Sequence, residues 1–110
     1  NYIPARLTAL LLVAASWLQR LDGKQCWAMI RRDAHLHPSP NSGLPEAGVA
    51  GALGVKLGGL NYYQGVASNR AKMGDAKRPL QASDIVATIR LMYLVSLLCL
   101  LVSVMISILL

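Results

Sequence analysis

Seven side chains able to bind an anion or move a proton fall between positions 33 and 46: Asp33, His35, His37, Ser39, Asn41, Ser42 and Glu46. Pro38, Pro40, Gly43 and Pro45 are set among them, and Arg31 and Arg32 come just before. His35 and His37, two apart, cannot share one helix face, and no third metal ligand accompanies them. Ser, His and Asp are all present, but the strand–turn–helix elbow that exposes a nucleophilic serine is missing. Anion binding fits better. Ser39, Asn41 and Ser42 supply donors, Arg31 and Arg32 supply charge, and a helix opening at Pro45-Glu46 would point backbone N–H groups at the ligand. No phosphate-binding P-loop is present, because Gly48 to Lys56 lacks the Gly-Lys-Ser/Thr ending. The plainer alternative is that Asn and Ser cap turns and Gly43 supplies a positive φ. Arg6 is a separate candidate. A cation at the edge of an apolar helix either serves a site or snorkels to the headgroups.

The surrounding elements read as helices joined by polar connections. Pro4 suits a first helical turn, and the apolar run from Leu7 carries a helix to about Leu21. Asp22-Gly23 interrupts it, and Gln25 to Asp33 adds another turn or two. His37-Pro38 stops any helix, since the residue before proline avoids the α region, so positions 38–43 read as a rigid turn-rich loop. The segment Ala47 to Gly58 carries Gly48, Gly51, Gly54 and Gly58, each costing about 1 kcal/mol against Ala in a helix. Their small-xxx-small spacing suits a backbone that must approach a neighbouring helix closely, and Gly58-Gly59 ends the element. Asn61 to Leu80 has no sustained period and reads as an ordered loop. Ser83 caps the last helix, with Asp84 in its first turn.

Composition sets the class. Of the 110 residues, 55% are hydrophobic and only 15% charged, a displacement toward membrane proteins. Leu91 to Leu110 is uncharged and long enough to cross a hydrocarbon core of about 30 Å. Leu7 to Gln19 is short for a span and also resembles a signal peptide, although no cleavage site follows. The net charge is +6, and ten of the eleven Lys/Arg lie from Arg20 to Arg90. By the positive-inside tendency that polar segment is cytoplasmic and attracted to anionic lipid. Nucleic-acid binding is disfavoured, because no basic stripe is interleaved with aromatics. Cys26 and Cys99 suggest neither a disulfide framework nor a metal site. The expected fold is therefore all-α: a fragment of a multi-pass membrane protein in which 1–21 is a transmembrane or interfacial helix, 22–83 a polar loop with a Gly-rich packed helix, and 84–110 a transmembrane helix.

The string His37-Pro38-Ser39-Pro40-Asn41-Ser42-Gly43 with Pro45-Glu46-Ala47 closely resembles the adenosylcobinamide-phosphate synthases of cobalamin biosynthesis, the CobD/CbiB type. So do Asn1 to Thr8, Arg32-Asp33, Ala50 to Gly54, Leu57-Gly58-Gly59, Tyr63, Gly65, Gly74 and Asp84-Ile85, in the same order. The resemblance implies a multi-pass protein of the bacterial inner membrane whose amino-terminal half is missing here, so that this piece alone is expected to be inactive. It implies ATP-dependent amide-bond formation, with Mg²⁺, between a corrinoid propionate (adenosylcobyric acid) and aminopropanol or its phosphate. Joined to the residue reading, it assigns Arg6, Arg32, Ser39, Asn41, Ser42 and Gly43 to phosphate or carboxylate binding. It assigns Asp33, His37 and Glu46 to catalysis, with Asp33 and Glu46 available to Mg²⁺. The alternative from another class is a non-catalytic membrane carrier or a regulatory relative on the same scaffold.

Overall fold

In the computed structural model, which describes residues 2–110 but not the side chains of 2, 40, 59–63 and 68–70, four α-helices and one β-hairpin follow one another. Asn1 and the side chains of Tyr2 and Tyr63, which carry part of the resemblance, lie outside the described residues.

Helix α1 spans Tyr2–Leu18. It stops short of the expected Leu21 because Arg20 turns left-handed at φ 60°. Leu21 N–H then bonds Ser16 O at 2.8 Å and Arg20 N–H bonds Trp17 O at 3.2 Å, a Schellman ending that satisfies the last carbonyls. Helix α2 spans Gly23–Asp33, and the Asp22 carboxylate caps it through Gln25 N–H at 3.0 Å. A 3-10 turn, Ala34–Leu36, follows, and His37 is extended ahead of Pro38, as the proline demands.

The next element departs from expectation. Helix α3 spans Pro40–Leu53, so it starts five residues before Pro45, and positions 40–43 are helical rather than loop. Ser39-Pro40 offers a start signal of its own, with Ser39 as N-cap and proline in the first helical turn. Gly43 takes no positive φ; it lies in the first turn of α3, where a Cβ would fall 2.8 Å from His37 Cβ and press on the Ala34 carbonyl. Farther along, a Cβ on Gly51 would fall 2.9 Å from Cys26 Cα. The small residues thus do what their spacing promised, letting α2 and α3 cross backbone to backbone. Gly54, left-handed at φ 69°, closes α3 before the expected Gly58.

Strands β1 (Leu57–Tyr63) and β2 (Val66–Met73) form an antiparallel hairpin. This corrects both the all-α expectation and the loop expected over Asn61 to Leu80. The turn is Gln64-Gly65, with φ of 51° and 79°, the sense that matches strand twist. A two-stranded ribbon is marginal by itself. This one is held at its base, where Val55 and Met73 are fully buried.

Helix α4 spans Ser83–Leu109, so Ser83 is its first residue and not its cap; Ala82 holds the N-cap position, and the Asp84 carboxylate accepts Gln81 N–H at 2.7 Å. Arg78 holds it to α3: Nε donates to Leu53 O at 3.1 Å and Nη1 to Asp84 Oδ2 at 3.1 Å, while Nη2 pairs with Asp84 Oδ1. One core unites the elements through Leu12, Cys26, Ile30, Ala47, Ala50 and Leu91. Among the described residues α4 is the one helix long and apolar enough to cross a membrane, at about 40 Å. Only 11% of its most apolar window is buried. The apolar stretch of α1, Ile3–Leu18, is shorter.

Candidate functional site

A groove of about 590 Å³ opens between the first half of α1, the second half of α2 and the first turn of α3. Each helix contributes one strip of residues at helical spacing. Helix α1 gives Arg6, Ala9 and Leu10; α2 with its 3-10 extension gives Trp27, Ile30, Arg31, Ala34 and His35; α3 gives Asn41 and Leu44. The walls are thus apolar, and two guanidinium groups, an imidazole and an amide are spaced around them. A concave site with few polar groups is the usual form of a small-molecule site.

The start of α3 shapes one rim. Ser39 O accepts from both Ser42 N–H (3.1 Å) and Gly43 N–H (3.0 Å), which closes the first turn. Pro45 has no N–H and so cannot bond the Asn41 carbonyl, its helical partner four residues back. Behind this rim, His37 accepts Ser39 N–H at Nδ1, 2.9 Å away, which leaves its proton on Nε2. That nitrogen stands 3.4 Å from Glu46 Oε2, and both side chains are largely covered.

Arg32 and Asp33 face another way. Arg32 donates to Asp33 through Nε and Nη2, both at 2.7 Å, and to Asp75 through Nη1 at 2.9 and 3.1 Å. Asp33, 4% exposed, also accepts Gly74 N–H at 2.7 Å. Hydrogen bonding to Arg32 holds the Asp33 carboxyl below the usual carboxylate range, against the opposing effect of burial, and the Gly74 amide helps. The result is a clamp between the end of α2 and the hairpin base.

Of the residues singled out from sequence, the structure therefore brings Arg6, Arg31, His35 and Asn41 to the groove. It places Ser39, Ser42, Gly43, His37 and Glu46 along the α3 start behind the rim, and Arg32 with Asp33 in the clamp. Trp27 joins Arg31 and His35 along the groove, a shared face that the sequence reading did not draw. Their signal was available: 27, 31 and 35 recur every four residues, one stripe of a continuing helix. Among the described residues no three His, Cys, Asp or Glu side chains converge as metal ligands.

The CobD/Cbib protein family matches residues 1–92, a stretch that contains every residue of the groove and the clamp. The chain belongs to the CobD/CbiB family. Similar proteins include Cobalamin biosynthesis protein CobD of Clostridium perfringens, 47% identical over 96% of this chain and 34% of that protein. CobD of Geobacter metallireducens is 50% identical over 84% of this chain and 29% of its own length. Cobalamin biosynthesis protein CbiB of Salmonella paratyphi B is 48% identical over 91% and 31%. The chain thus spans about a third of the length of the curated CobD/CbiB relatives it matches. No solved structure matches it.

Proposed function

We propose that this chain is the carboxy-terminal part of a cobalamin-biosynthesis enzyme that joins an amine to a carboxylate. The reaction is ATP-dependent amide-bond formation between the propionate carboxyl of adenosylcobyric acid and aminopropanol or its phosphate. The observation that supports it is the groove itself, in a member of the CobD/CbiB family: Arg6, Arg31, His35 and Asn41 converge on one apolar-walled cavity.

Each group has a chemical task in such a reaction. Guanidinium groups bind carboxylate or phosphate oxygens through charge-assisted, planar hydrogen bonds, and fix where the reacting atoms sit. Asn41 donates from the α3 start, where the helix dipole also favours negative charge. As the amine nitrogen attacks the carboxyl carbon it must lose a proton, a role we assign to Glu46, which meets His37 behind the rim. ATP would supply the driving force by turning the carboxyl oxygen into a leaving group. Glu46 would also be the carboxylate to share Mg²⁺ with substrate phosphates, the usual way that ion is held. Both Asp33 oxygens are already taken by Arg32 and Gly74, so we assign Asp33 to the fold. The protein is read as a multi-pass protein of the bacterial inner membrane, with α4 crossing the bilayer and the polar segment cytoplasmic.

The test is complementation of a bacterial strain that cannot make cobinamide, using the full-length protein. Asn41→Ala and Glu46→Gln should each cut corrinoid amidation at least tenfold while protein levels stay normal. Full amidation by both variants would refute this site, and rescue of corrinoid uptake without amidation would favour a carrier.

A further inference from the structure

The carboxyl end of α3 gathers cations. Two separate segments cap its last carbonyls: Ala52 O accepts Asp22 N–H at 3.2 Å, while Leu53 O accepts Arg78 Nε–H at 3.1 Å and Gly54 O accepts Lys77 N–H at 3.2 Å. These bonds draw the α1–α2 turn, the α3–β1 connection and the β2–α4 connection to one end of the molecule. Arg20, Lys24, Lys56 and Lys77 come with them, all exposed.

Among the described residues of the chain no carboxylate pairs with them. Asp22 lies at this same end but caps α2, and the other four acids are engaged as well: Asp33 and Asp75 share Arg32, Glu46 meets His37, and Asp84 is held by Arg78. Apolar surface borders the same end. Trp17 and Leu18, in the last turn of α1, are 61% and 64% exposed, and Ile85, Val86 and Ile89 are exposed where α4 departs. Cations on one side, an aromatic at the boundary and an apolar helix on the other is the layering of a membrane interface.

We propose that Arg20, Lys24, Lys56 and Lys77 form a seat for anionic phospholipid headgroups at the foot of α4. The inference rests on the reading of α4 as a membrane-crossing helix. Phosphodiester oxygens would balance the net positive charge of this face, where the backbone bonds to Ala52 and Gly54 gather the segments that carry the four cations. The seat would fix how deep the molecule sits, and so the height of the groove above the hydrocarbon.

The experiment places the full chain in nanodiscs of phosphatidylcholine alone, or with phosphatidylglycerol added, and follows acylation of Lys24, Lys56 and Lys77 by mass spectrometry. A negative surface concentrates protons and keeps ammonium groups charged, so acylation should be roughly threefold slower with phosphatidylglycerol. High salt should abolish the difference. Equal rates at all three lysines would overturn the seat. Alkaline carbonate extraction from neutral vesicles reports on α4 separately. Retention together with equal acylation rates refutes the seat and leaves the membrane reading standing, whereas release refutes the membrane reading, on which the seat depends.

Discussion

The groove beside α1 and the clamp under the hairpin draw on the same residue types, and even on adjacent positions, yet they are built to opposite ends. In the clamp every charge is answered: Arg32 spans two carboxylates, and Asp33 receives a guanidinium and a backbone amide. In the groove Arg31, His35 and Asn41 face a cavity with no acid among its described lining residues. One residue step rotates a helix by about 100°, and that is all that separates Arg31 from Arg32. Satisfied polar groups stabilise a fold and have nothing left for a ligand. Polar groups set around an apolar cavity contribute little to folding, which leaves binding as their use.

The change that should damage both regions at once is Gly43→Val. Its side chain must enter the space held by the Ala34 carbonyl and His37 Cβ, so the 3-10 turn is pushed away from α3. We expect a loss of about 3 kcal/mol in stability together with abolished activity, read by denaturant unfolding and by corrinoid amidation. Normal unfolding with normal activity would show that α3 and the turn are not the joint between groove and clamp.

Asp33→Asn strikes the clamp alone. The native carboxyl titrates below the usual carboxylate range, so its contribution to stability is complete at neutral pH and is lost as pH falls through that lowered value. The variant should unfold more easily than the native chain at pH 7, and the gap should narrow steadily in acid. A gap that stays constant with pH would mean that the Arg32–Asp33 pair is not what the carboxylate supplies.

Gln64→Asn is the smallest change. Position 64 has φ 51° in a two-residue hairpin turn, where Asn is preferred. A gain of about 0.5 kcal/mol is expected, with activity untouched because the turn lies at the far tip from the clamp. A loss of stability would argue against the turn geometry.

The hairpin also marks where the sequence stopped being legible. Its turn carries Gln-Gly rather than Asn-Gly, its first strand contains Gly58-Gly59, and the two strands show no clean alternation, so no local signal announces a ribbon. What fixes it is tertiary, the burial of Val55 and Met73 and the Asp33 bond to Gly74. The early start of α3 escaped for a related reason. Two prolines, Pro40 and Pro45, both offer a helix start, and only the contact of Gly43 with the 3-10 turn selects the first. Other features were plain: the start of α4, the helix before His37, and the close approach allowed by the Gly-rich stretch. The polar string at 33–46 stands out in so apolar a chain, but its letters do not say which side chains share a face. For α2 that information lay in the spacing of Trp27, Arg31 and His35.

The division of labour between neighbouring arginines is the central claim, and one paired measurement tests it. Arg31→Gln and Arg32→Gln, each made in the full-length protein, are compared by thermal unfolding and by amidation per folded molecule. Losing a charged hydrogen bond to substrate is worth roughly tenfold to a hundredfold in rate, so Arg31→Gln should lose activity on that scale with an unchanged melting temperature. Arg32→Gln should melt earlier and keep its activity per folded molecule. The reverse pattern, a stable but inactive Arg32→Gln beside an active Arg31→Gln, would contradict the account.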